Sequence, residues 1–170
     1  QESSEREILS LMIQEFKNRF TQLRSETPAE GDKKLSDHQL LVLASMIEKE
    51  TGTAEDRPLI AGVFHNRLRL GMKMQSDPTV IYGISNFDGN LTRKHLETPT
   101  PFNTYTEMGL PPTPISNPGW DSLHSALQPA SVKYLYFVAR GDGSSAFSRT
   151  LREHQRAVWK YQVQPHRNSR

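Results

Sequence analysis

Apolar residues recur at helical spacing in several stretches of the chain, and the polar residues between them mark where each helix begins. Ile8, Leu11, Met12, Phe16, Phe20 and Leu23 predict an amphipathic helix over residues 1–26, with Ser4 and Glu7 spaced as a capping box. A polar loop with Pro28 and Gly31 follows. Leu40, Leu43, Ala44 and Ile47 then predict a second helix from Asp37. Ser36 and Gln39 form its capping box, Leu35 and Leu40 occupy the positions of a hydrophobic staple, and Gly52 is expected to end it in a left-handed conformation. A third helix is expected to start within residues 53–56. Its buried stripe is Leu59, Ile60, Val63, Phe64 and Leu68, and Gly71 stops it. Arg57 and Arg67 read by default as surface charges on this helix, though one of them could pair with an acid in a cleft.

The period changes after Gly71. Met72, Met74 and Ser76 alternate with Lys73 and Gln75, which predicts a short strand. Asp77 and Pro78 then read as an N-cap and first helical position, with Gly83 ending a short helix. Residues 84–100 are mostly loop around one short helix at 92–97. Residues 101–119 carry five prolines in 19 positions, interleaved with Asn103, Thr104, Tyr105 and Thr106. Asn117 and Pro118 start a helix bearing Trp120, Leu123 and Leu127. Residues 133–139 read as the clearest strand, joined through Asp142-Gly143 to a second strand near 146–148. Thr150 and Glu153 cap a final helix whose expected inner face is Leu151, His154, Val158 and Tyr161. A tail from residue 164 is expected to lack order. There is no internal repeat. The order of elements gives an α+β class, a helical region with a small β-hairpin. The expected organisation is a helix and connector at 1–35, one domain at 36–163 and the tail at 164–170.

Composition narrows the chemistry. The chain has 170 residues, 35% hydrophobic and 24% charged, enough for one domain with its own core. A net charge of +2 is too small to argue for nucleic acid. There are no cysteines, which excludes disulfides, thiolate metal sites and cysteine nucleophiles. The six histidines lie far apart without an H-E-x-x-H pair, so neither a metal nor a cofactor is expected. No run reaches the apolar length of a membrane span, and the start at Gln1 suggests a fragment whose targeting segment is missing.

What remains is carboxylate chemistry beside polar and aromatic loops. Glu48 and Glu50 end the second helix, where low dielectric and the negative end of the helix dipole disfavour ionisation. Most glutamates at helix ends are simply solvated, which is the plain alternative. On a helical wheel Glu50 falls between Leu43 and Met46 and Glu48 between Ala44 and Leu41, so periodicity leaves both open. Gln75, Asp77 and Tyr82 are candidates for the rim of a polar cleft. The hydrogen-bonding groups and aromatic of Asn103, Thr104 and Tyr105 suit carbohydrate, which needs polar contacts and a flat apolar face.

Six segments together carry a resemblance: LASMIEKETG, RPLIAGVFHNRL, MKMQSDPTVIYG, FNTYTEMGLPPTPISNPG, YLYFVA and TLREHQRAV. In that order they resemble the MltG (YceG-like) endolytic murein transglycosylases of bacteria, over about residues 36–162. The resemblance implies a lysozyme-like catalytic helix. It also implies internal cleavage of peptidoglycan glycan strands between MurNAc and GlcNAc, leaving a 1,6-anhydroMurNAc end. One glutamate acts as acid and then base. Glu50-Thr51 fits the Glu-Ser/Thr pairing of lysozyme-like transglycosylases and Glu48-Lys49 does not, which selects Glu50 and leaves Glu48 as support. Gln75, Asp77, Tyr82, Asn103, Thr104 and Tyr105 are then expected to bind sugar or orient the acid. The resemblance further implies a site at the outer face of the cytoplasmic membrane, near cell-wall synthases, with an anchor and a LysM-like region not seen in this chain. Thr113 and Ser145 depart from the family's usual Gly and His. Two rivals are a hydrolase in which Asp77 activates water, and a non-catalytic glycan-binding or scaffold module.

Overall fold

The computed structural model describes residues 4–26 and 35–165. The chain divides into two compact units, Gln1–Lys34 and Leu35–Arg170. The first holds α1, Glu5–Glu26, closed at its start by the expected box: the Glu7 amide donates to Ser4 Oγ (3.3 Å) and the Ser4 amide to Glu7 Oε2 (2.7 Å). Phe16 and Phe20 stack one turn apart on it, with ring centroids at 5.5 Å. The predicted loop at 27–34 lies outside the described residues.

The second unit is built on α2, Asp37–Glu50. Ser36 and Gln39 form the capping box as expected, at 3.2 and 2.9 Å. Burial exceeds a one-sided stripe, because Val42, Ser45 and Met46 are enclosed along with Leu40, Leu43, Ala44 and Ile47. The helix packs against α6 (Trp120–Leu127), α3 (Arg57–Leu70) and α4 (Asp77–Tyr82), which together leave it no solvent face over its middle turns. Ser45 turns this burial into an anchor for the proline-rich loop. Its hydroxyl accepts from the Ile115 amide (3.0 Å) and its carbonyl from Ser116 Oγ (3.0 Å).

The end of α2 differs from expectation. Thr51, with φ −87 and ψ 121, ends the helix in extended conformation, and Gly52 is not left-handed. The glycine serves a close approach instead, since a Cβ there would lie 2.1 Å from the Gly143 carbonyl oxygen at the hairpin tip. Helix α3 likewise begins at Arg57 rather than within 53–56. Asp56 gives its carboxylate to the Ser145 amide of the hairpin (2.6 Å) instead of capping. Gly71 ends α3 at φ +66, as its position predicts.

Residues 72–76 form an irregular strap that pairs with no strand among the described residues, so the predicted strand is absent. The in-and-out alternation survives as burial of Met74 and Ser76. Ser76, not Asp77, is the N-cap of α4; Asp77 is its first residue, and Gly83 follows the last turn. Helix α5, Arg93–Glu97, is capped by Thr92, and α6 starts at Trp120 after Gly119 rather than at Asn117 and Pro118.

The hairpin pairs β1, Tyr136–Ala139, antiparallel with β2, Ser145–Ser148, in the register Tyr136 to Ser148. The strand is shorter than the predicted 133–139 because side chains of α3 take its leading carbonyls. Asn66 Nδ2 donates to the carbonyls of Val132 and Tyr134, and Arg67 Nε to that of Leu135. Helix α7, Leu151–Val158, carries the predicted Thr150–Glu153 box and runs into a π-helical turn at Trp159–Val163. Its predicted inner face buries nothing fully. Leu151 is 53% exposed, because that face looks onto a cleft rather than a core. Helical backbone continues through Pro165, and residues 166–170 of the predicted tail lie outside the described residues.

Candidate active site

The cleft is about 570 Å³. Glu50, Gln75, Asp77 and Tyr105 line it from the α2–α4 side, and Tyr136, Leu151, His154 and Val158 from the hairpin and α7. Glu50 arrives there because α2 ends in extended Thr51, which stops the helix with the carboxylate in its final turn. Among the described residues the carboxylate accepts one hydrogen bond, from Ser76 Oγ to Oε1 at 2.6 Å. Burial pushes its pKa up to about 7; the Ser76 hydroxyl opposes that rise, and the neighbouring Asp77 charge adds to it. At neutral pH Glu50 can therefore hold a proton and release it.

Glu48, two residues earlier, faces another way. It accepts from Ser122 Oγ (2.6 Å) in the first turn of α6 and from the amide of Gly119 (3.1 Å), the residue before that helix. The Ser122 hydroxyl holds its pKa below the usual carboxylate range, more than burial raises it, and the Gly119 amide adds to the effect. Glu48 is an ionised cap for α6. It fastens the end of α2 to α6.

Gln75 is held in the cleft at φ +51, a conformation unusual for a residue with a side chain. Arg67 maintains it. The guanidinium, 6% exposed, donates from Nη1 to the Lys73 and Met74 carbonyls (3.0 Å each) and to Gln75 Oε1 (3.1 Å). Its carbon lies 5.1 Å above the Tyr136 ring, which binds the strap at 72–76 to the hairpin. The default reading of Arg67 as a surface charge is thus corrected; it is buried and binds carbonyls rather than an acid. Its position seven residues after Ile60 and three after Phe64, on the apolar stripe, was the available signal. Arg57 is paired with Asp121 at 3.5 Å, outside the cleft lining.

Asp77 accepts from the Tyr105 hydroxyl at 2.6 Å. Burial, together with that bond, pushes the phenol pKa well up, so Tyr105 stays a neutral donor. The other three predicted residues do not line the cleft. Asn103, fully buried, donates from Nδ2 to the His95, Leu96 and Thr98 carbonyls and accepts from the Tyr105 amide. Thr104 binds the Ser76 amide and Thr79 Oγ1. Tyr82 is 52% exposed and rests on Phe102, centroids 5.0 Å apart. Residue-by-residue reading also missed Tyr136 and His154, which stack at 5.2 Å on the opposite wall. Burial and the nearby Arg67 charge keep His154 below its ordinary pKa. Among the described residues no group of three or more His, Asp or Glu could hold a metal ion.

A carboxyl of raised pKa in a polar and aromatic cleft on an α+β frame can serve as a general acid. The profile described as the YceG-like family matches residues 1–160, and the chain belongs to this family. It is 40% identical over 160 residues to the endolytic murein transglycosylase of Bacillus subtilis (strain 168), covering 94% of the chain and 44% of the relative. It is 35% identical over 132 residues to the protein of that name in Streptococcus pneumoniae serotype 2, covering 74% and 24%. A crystal structure of a yceG-like protein from Listeria monocytogenes superposes with a TM-score of 0.68 at 40% identity, over 86% of this chain and 44% of that one. The chain therefore spans less than half the length of these relatives.

Proposed function

We propose that this chain carries the catalytic domain of an endolytic peptidoglycan lytic transglycosylase and that Glu50 is its acid and then its base. The observation carrying this reading is the Glu50 carboxyl, lifted by burial to about 7 in the lining of the cleft, with Ser76 as its donor among the described residues. Protonated Glu50 gives its proton to the oxygen linking MurNAc C1 to GlcNAc C4, and the C1–O bond breaks. Positive charge then develops at C1 and its ring oxygen, next to the Asp77 carboxylate. The Glu50 carboxylate takes the proton of the MurNAc C6 hydroxyl as O6 bonds to C1. This closes the 1,6-anhydro ring and restores the acid without consuming water. One carboxyl of raised pKa suffices for both transfers. Gln75 and Tyr105 hold the sugar at the cleft, with Asn103 and Thr104 fixing the loop behind them and Tyr82 reaching glycan beyond the rim. The enzyme works on glycan strands at the outer face of the cytoplasmic membrane, alongside cell-wall synthases.

The test is to incubate purified peptidoglycan with the 170-residue chain and with Glu50→Gln, then weigh the muropeptides. Anhydro ends from the native chain and none from the variant are expected. Undiminished anhydro products from Glu50→Gln would remove Glu50 from the role. A second reading draws on Asp77, whose carboxylate faces the same cleft as Glu50. There Asp77 activates water, and the products are reducing ends one water heavier. The same masses decide between the two, and binding without any product identifies a non-catalytic glycan module.

A further inference from the structure

Glu50 owes its one hydrogen bond to a serine that is itself locked in a ring of bonds. Ser76, Thr79 and Thr104 are buried, at 1%, 0% and 1% exposure. The Ser76 amide donates to Thr104 Oγ1 (3.0 Å), and the Ser76 carbonyl accepts from Thr79 Oγ1 (2.7 Å). The two threonine oxygens lie 2.8 Å apart. Each hydroxyl has one proton to give. The Thr79 proton is committed to the Ser76 carbonyl, so Thr104 donates to Thr79 and the ring runs in one direction. Both backbone groups of Ser76 are then satisfied without water, and its hydroxyl is left for Glu50 Oε1 at 2.6 Å.

That geometry divides the two oxygens of the acid. With the Ser76 proton donated to Oε1, the hydrogen of protonated Glu50 sits on Oε2. We infer that Ser76, clamped by Thr79 and Thr104, is a positioning residue that assigns the transferable proton to Glu50 Oε2 and keeps that oxygen turned to the substrate through both transfers. The clamp also explains why Thr104 is enclosed although its loop borders the cleft. The other titratable or charged groups sharing the cleft with Glu50 are Asp77 of α4, Tyr105 of the loop, Arg67 of α3, Tyr136 of β1 and His154 of α7. Among the described residues Ser76 alone donates a hydrogen bond to Glu50. Removing the Ser76 hydroxyl thus removes the one donor that favours the ionised form.

This inference rests on the reading of Glu50 as the acid, and two measurements separate them. Carbon-13 carboxyl titration of the glutamate-labelled chain, with the Glu50 signal assigned by its loss in Glu50→Gln, needs no substrate. In Ser76→Ala the Glu50 midpoint moves up by about one pH unit. On peptidoglycan the same variant loses about tenfold in kcat with KM unchanged within about twofold, because the proton is misplaced while the cleft is intact. Thr79→Val keeps the Ser76 hydroxyl but opens the ring. It shifts both readouts in the same direction by less, and it carries the comparison if Ser76→Ala does not fold. A midpoint that stays in place in both variants, or an unchanged kcat, overturns the inference. If Glu50→Gln is inactive and the midpoint is unmoved, only the role of Ser76 falls. If Glu50→Gln is fully active, the reading of Glu50 falls as well.

Discussion

The last turn of α2 places two glutamates, two residues apart, in opposite electrostatic settings. On the α6 side Glu48 meets a hydroxyl and a backbone amide at a helix start, and its charge is stabilised. On the cleft side Glu50 meets one hydroxyl, little water and a second carboxylate, and its charge is disfavoured. The two sit on one helix end, so the macrodipole does not distinguish them. The deeper burial of Glu50 does, together with the number of donors and the neighbouring charge. One helix terminus can thus hold a structural anion and a proton donor when two different elements dock on its two sides.

The strongest way to break this contrast is to exchange each carboxyl separately. Glu50→Gln should lower activity on peptidoglycan by at least about 100-fold, read as anhydro-muropeptide yield. Glu48→Gln, which keeps an acceptor for Ser122, should retain most of it. Equal losses would dissolve the distinction.

The pH dependence of stability sharpens the contrast further. Between the ordinary carboxyl value of 4.5 and about 7, folded Glu50 binds more protons than unfolded Glu50. Stability therefore falls as pH rises through that window and levels off above it, by at most about 3 kcal/mol. Denaturant midpoints measured across the window should show the decline in the native chain and a flatter profile in Glu50→Gln. Glu48 has the opposite sign. Its contribution is present above 4.5 and is lost as pH falls through its depressed folded value.

Next in size is the seat of the hairpin that walls the cleft. Gly52→Ala would put a methyl 2.1 Å from the Gly143 carbonyl oxygen, so the hairpin must shift. A loss of about 1–3 kcal/mol in thermal or denaturant unfolding is expected. Glu48→Ala should cost about 1 kcal/mol by uncapping α6, visible as a lower melting temperature with the cleft residues untouched.

The smallest effect belongs to Asp77→Asn. Removing that charge lets Glu50 ionise more easily, so the alkaline limb of the activity profile should move down by less than about one pH unit. An upward move would show that Asp77 acts on Glu50 other than through its charge.

Much of the frame was legible without coordinates, because it depends on neighbours in sequence. The boxes at Ser4, Ser36 and Thr150, the left-handed Gly71 and the Asp142-Gly143 turn all involve residues within a few positions of each other. The periodicity of α1, α2 and α3 is equally local. The errors cluster where a distant element decided the outcome. Gly52 looked like a helix stop and is instead the contact point for Gly143. Asp77 looked like a cap, and its carboxylate is taken by Tyr105. Residues 133–135 looked like strand, and the carbonyls of Tyr134 and Leu135 are occupied by Asn66 and Arg67 of α3. Arg67 looked solvated and is the guanidinium that holds the strap at 72–76.

The sequence by itself determined that an apolar helix would end in two carboxylates, and through family resemblance which of them pairs with a threonine. It could not assign their charge states, since ionisation depends on donors that come from far along the chain. Only the tertiary structure set Ser122 and Gly119 against Glu48, and Ser76 and Asp77 against Glu50. The physical reason is that desolvation and hydrogen bonding act over a few ångströms of space, whereas periodicity and capping act over a few residues of chain.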